Sequence, residues 1–129
     1  MCVALGIGVS IFSFPLFGHH GNAAYDMGKS ITLKGTVTQW VWAFPHCMLQ
    51  LEVTDDRGQV VQWITETENP SSMIRFGWTR QSMKPGDQIT VAVAPGKNGK
   101  PIGRIIELVL SNGQKLGGLN TGRTESSNP

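Results

Sequence analysis

Between positions 47 and 54 the side chains alternate without a break. Cys47, Leu49, Leu51 and Val53 fall on one side, and Met48, Gln50, Glu52 and Thr54 on the other. A period of two is that of a strand with one buried face, and no helix can gather such a set onto one stripe. The same period recurs upstream, where Ile31, Leu33, Gly35 and Val37 oppose Thr32, Lys34, Thr36 and Thr38. It recurs again at 88–94, where Ile89, Val91 and Val93 point inward. Sixteen glycines and seven prolines among 129 residues fit many turns between short strands rather than long helices.

The punctuation fixes the order of elements. Asp55-Asp56-Arg57-Gly58 is turn chemistry, so 59–65 returns as the hairpin partner of 47–54. Asn69 before Pro70 is a helix cap followed by a proline at the first helical position, and Gly77 is the stop. Residues 71–76 therefore make one or two helical turns. Lys84-Pro85-Gly86-Asp87 is a turn, and 102–110 is the last strand. The long run from Ile31 through Trp40 and Trp42 needs a bend, for which Gly35 is the natural place. Three strands, a short helix and two strands make an all-β class with one short helix, in the order of a five-stranded OB-fold-like barrel. Another small all-β barrel or sandwich is the alternative.

The start of the chain reads differently. From Cys2 to Phe17 no side chain is charged, and the run is shorter than the ~20 residues of a spanning helix. Residues 1–18 read as a secretory signal peptide, which implies a periplasmic or secreted protein. Cleavage after Gly18 makes His19 the new N-terminus, whereas cleavage after Ala23 discards His19 and His20. Residues 19–30 read as a flexible segment, 31–116 as the barrel and 117–129 as a disordered tail. Cys47 is then the only cysteine of the mature chain, which excludes a disulfide scaffold and suits a buried thiol.

Unusual side chains concentrate where the first strand runs into its loop: Trp40, Trp42, Phe44 and His46. Ring faces there can stack on a ligand, and the loops beside strands two and three are where OB-folds take ligands. The plainer reading is that both tryptophans cover an open barrel end. His46 and Cys47 are neighbours in a strand and point to opposite faces, so they do not share an ion. A chain beginning at His19 offers an amine and an imidazole from one residue, and His46 adds a second imidazole, a nitrogen set suited to a copper ion. His20 is a less direct ligand.

No catalytic constellation stands out. There are three histidines, no Gly-x-Ser-x-Gly and no phosphate loop in its required context. Glu66 and Glu68 read as acids favoured near the start of the helix. A formal charge of +2, without a stripe of bases and aromatics, argues against nucleic acid as a partner.

His19-His20, Thr32-Leu33-Lys34-Gly35-Thr36-Val37, Trp42, Pro45-His46, Gly77-Trp78-Thr79-Arg80 and Lys84-Pro85-Gly86-Asp87 together resemble an uncharacterised family of small exported bacterial proteins, domain of unknown function 6152. The resemblance covers nearly all of residues 19–116. It departs at Phe44, where the family usually has Asn, and at Gly21, where it usually has Ser. It implies export, cleavage just before His19 and a small β domain, with His19, His20 and His46 as family features, and it implies no activity. The expected function is therefore a non-enzymatic, monomeric exported module. Its ligand is a small molecule or exported protein partner, held at the loop after strand one and the face of strands two and three. It meets the membrane only through its export signal. The alternative is copper binding by His19 and His46.

Overall fold

The computed structural model describes residues 22–117. Strands β1 (Ile31–Val41), β2 (Met48–Thr54) and β3 (Val60–Glu66) are followed by helix α1 (Pro70–Arg75). Strands β4 (Gln88–Pro95), β5 (Ile102–Leu110) and the two-residue β6 (Lys115–Leu116) complete the chain. Hydrogen-bonded neighbours run β3-β2-β1-β4-β5-β6, and β3 also pairs in parallel with β5, from Ile64 opposite Ile102 to Glu66 opposite Arg104. That parallel seam closes five strands into a barrel. With the helix between β3 and β4, the strand order is that of an OB-fold.

The core is what the alternation foretold. Leu33, Val37, Cys47, Leu49, Leu51, Ile89, Val91, Val93, Ile105 and Leu108 are buried together, with Met73 and Trp78 closing one side. The turns also match their chemistry. Asp55 Oδ1 accepts from the backbone N–H of Arg57 and Gln59, and Gly58 takes φ 77°, a left-handed conformation that suits glycine. Asn69 Oδ1 accepts from Ser72 N at 3.0 Å, capping a helix that begins at Pro70.

Three features differ from the expectation. The irregularity in β1 falls at Thr38, between Val37 and Gln39, rather than at Gly35. Gly35 instead lies where β1 is paired on both sides, with Val53 and with Ile89. A Cβ there would come within 2.4 Å of the Glu52 carbonyl oxygen. Its need is for close approach of two backbones, not for a bend. Beyond β5, a turn at Gly113 returns the chain as β6, a short sixth strand that buries Leu116. Finally, residues 22–30 are tied down rather than loose. Tyr25 bridges to Gly96, Asp26 N donates to the Pro95 carbonyl at 2.8 Å, and Lys97 N donates to that of Ala24 at 3.0 Å. This strap runs alongside the β4–β5 loop. The export signal, His19, His20 and the tail after position 117 lie outside the described residues.

Candidate functional site

The loop after β1 divides its residues between support and surface. Trp40 and Trp42 are half-buried against the core, and their ring centroids lie 5.9 Å apart. Trp40 is also 5.9 Å from Trp78, and its indole N–H donates to the Thr79 carbonyl at 3.1 Å. These rings are committed to one another and to the segment after α1. Phe44, by contrast, is 68% exposed. Cys47 is fully buried, and burial pushes its thiol above the ordinary cysteine value. His46 and Cys47 precede β2 rather than lie in a strand, yet they still face apart, Cys47 into the core and His46 toward the outer face and Glu66.

On that outer face lies a polar cluster that sequence reasoning missed. Arg104, on β5, has a side chain only 2% exposed. Its Nη1 donates to Glu66 Oε1 at 3.1 Å, and its Nη2 pairs with Glu68 Oε1. His46 Nδ1 stands 2.8 Å from the same Glu66 oxygen, and the Tyr25 hydroxyl donates to Glu66 Oε2 at 2.8 Å. One carboxylate thus ties together β3, β5, the loop before β2 and the N-terminal strap. Glu66 reaches Arg104 because the parallel seam sets the two residues opposite each other. Glu66 and Glu68 serve this cluster rather than the start of α1, whose first turn carries no acid. The clues in the sequence were an arginine between Gly103 and Ile105 in an apolar strand, and the protein's one tyrosine.

The Arg104 guanidinium is shared by two carboxylates, and Glu66 is shared in turn between Arg104 and the His46 imidazole. A carboxylate only accepts hydrogen bonds, so His46 Nδ1 carries the hydrogen of this contact. A histidine held in this way by a carboxylate is the usual arrangement of a metal-binding imidazole. Burial first, and the bond to Glu66 second, push the Tyr25 phenol well above the ordinary tyrosine value, so it remains a donor. Among the described residues, the buried Arg104 Nε–H has no hydrogen-bond partner.

Of the sequence-derived site residues, the structure unites Trp40 with Trp42 and sets His46 into the Glu66 cluster. Phe44 faces outward, and His19 and His20 are not among the described residues. Within those residues no three His, Cys, Asp or Glu side chains form a ready-made metal site.

No curated protein matches this chain. Among solved structures, it is similar to Rim1, a mitochondrial single-stranded DNA binding protein from S. cerevisiae. The TM-score is 0.49 at 8% identity, over 64% of this chain and 93% of that one. The family model of unknown function DUF6152 matches residues 8–105, and the chain belongs to that family.

Proposed function

We propose that this protein is an exported, non-enzymatic binding module that works at the loop between β1 and β2, and that its ligand is a copper ion. One observation carries the reading: the 2.8 Å contact between His46 Nδ1 and Glu66, which fixes the tautomer and turns of the ring. The Glu66 carboxylate beside the imidazole favours a cation near that edge of the barrel. His19, as the mature N-terminus, supplies an amine and a second imidazole, with His20 as the less direct ligand. The tryptophans offer little to a ligand, because their rings and the Trp40 N–H are already engaged.

The test is a Cu(II) competition titration on the secreted chain, after its N-terminus has been read by intact mass. The account expects a chain beginning at His19, a Kd near micromolar or tighter at neutral pH, and at least a tenfold loss in His46→Ala. A mature chain beginning at Ala24, or equal binding by His46→Ala, would contradict it. A second reading, a small molecule or exported protein partner at the same loop, is favoured by the exposure of Phe44. It expects that Phe44→Ala, and not His46→Ala, abolishes partner capture.

A further inference from the structure

Hydrogen-bond parity decides where β3 is unfinished. In an antiparallel pair, alternate residues bond to the partner strand, and the residues between them turn their N–H and C=O the other way. At the two ends of the β2–β3 ladder, Asp55 N donates to the Gln59 carbonyl at 2.8 Å and Thr67 N to that of Cys47 at 2.9 Å. The odd-numbered residues of β3 therefore face β2. Val60, Gln62, Ile64 and Glu66 turn their backbone groups to the opposite edge, and Ile64 N donates there to the Pro101 carbonyl at 3.1 Å. From Ile64 to Glu66 this edge is the seam with β5, but no strand among the described residues pairs it at Val60 or Gln62. The chain ahead of Ile102 turns back to β4 instead of continuing along β3, with Gly96 N donating to the Ile102 carbonyl. The N–H and C=O of Val60 and Gln62 thus lie on an open edge.

Natural proteins guard such edges with a charge, a proline or a bulge. The stretch from Gln59 to Ile64 has neither charge nor proline, and the β2–β3 register runs through it without a shift. The comparable gap in β1, before its pairing with β2 begins at Gly35, carries the exposed Lys34. On β3 the outer face instead shows aliphatic side chains, Val60 at 63% exposure and Ile64 at 43%.

We propose that this edge of β3 pairs antiparallel with the same edge of a second copy of the chain, in a weak symmetric dimer. Setting Val61 on the two-fold axis puts Val60 opposite Gln62 of the other copy, and Gln62 opposite its Val60. Every free N–H and C=O of the edge then finds a partner. A register centred on Gln62 would instead set Val60 against Ile64, whose N–H is already given to Pro101. Because the edge is uncharged, it meets its own image without like-charge repulsion, and each Val60 is covered by the Gln62 opposite. The contact is short and buries far less than the ~1,600 Å² of a standard interface, so Kd is on the order of 0.1–1 mM. The pairing is independent of the copper reading and departs from the monomer expected from the sequence.

The test is sedimentation velocity of the metal-free secreted chain from about 20 µM to 1 mM, with ¹H–¹⁵N spectra over the same range. The sedimentation coefficient is expected to rise with concentration, and the Val60 and Gln62 amide signals to shift with it. Val60→Pro removes an N–H that faces the open side, where the monomer does not use it, and costs two of the four bonds between copies. It is expected to raise Kd about tenfold or more. Val60→Lys sets like charges close to the axis and is expected to do the same. It decides the matter should circular dichroism show Val60→Pro unfolded. A wild-type chain that stays monomeric throughout overturns the proposal. So does dimerisation that Val60→Lys leaves at wild-type strength, which would place the interface on another face.

Discussion

Gly35 is a residue whose requirement is steric. A Cβ would lie 2.4 Å from the Glu52 carbonyl oxygen and 3.1 Å from both Leu51 Cδ1 and Val53 Cγ2. Backbone cannot yield as a flexible side chain does, so β1 and β2 must part where the barrel is paired on both sides. Gly35→Ala is expected to cost about 1–3 kcal/mol and to lower Tm by roughly 5 °C or more. A melting curve that overlays the wild type would contradict the close approach. The sequence marks Gly35 as special because it interrupts an apolar face, but only the β1–β2 register reveals that the cause is a neighbouring carbonyl.

At the scale of elements, the turn before β4 is the clearest device. Asp87 Oδ1 accepts from Lys84 Nζ at 2.8 Å, and its Oδ2 accepts from the Lys84 backbone N–H at 3.0 Å. These bonds, the side-chain one foremost, hold the Asp87 carboxyl below the ordinary aspartate value. A depressed folded pKa means stability that is present above the unfolded value near 3.9 and is lost as pH falls below it. Lys84 is 81% exposed, so the contribution is small and weakens with salt. Asp87→Asn is expected to flatten the acid limb of stability between about pH 2 and 4, as read by urea unfolding. An unchanged limb would show that the turn does not titrate with the fold. Elements of this kind were legible. Asn69-Pro70, Asp55–Gly58 and Lys84–Asp87 each announce local chemistry that needs no partner distant in sequence. The shift at Thr38 and the strand β6 were not, because both depend on which strand lies alongside.

For the whole molecule, the seam between β3 and β5 is the closure of the barrel, and a buried ion cluster sits on its outer side. Alternation along each strand foretold the core, but nothing local pairs Glu66 with Arg104, which are 38 residues apart. Glu66 read as an acid favoured near the start of the helix until the seam set it opposite Arg104. Removing one partner of a buried pair leaves the other uncompensated, so Arg104→Met is expected to destabilise by about 3–5 kcal/mol. Adding Glu66→Gln and Glu68→Gln to that variant should recover most of the loss. Chemical denaturation that shows no recovery would mean the packing of Arg104, not its charge, is what matters.

The account turns on a cation being taken where the strap, His46 and Glu66 meet. The most direct measurement is a ¹H–¹⁵N correlation spectrum of the secreted chain with substoichiometric Cu(II), whose unpaired electron broadens nearby amides. The account predicts loss of the Tyr25, His46, Glu66 and Arg104 signals, while the Asp55–Gly58 turn at the other end of the β2–β3 hairpin stays sharp. Broadening at that turn, or spread evenly over the surface, would contradict it.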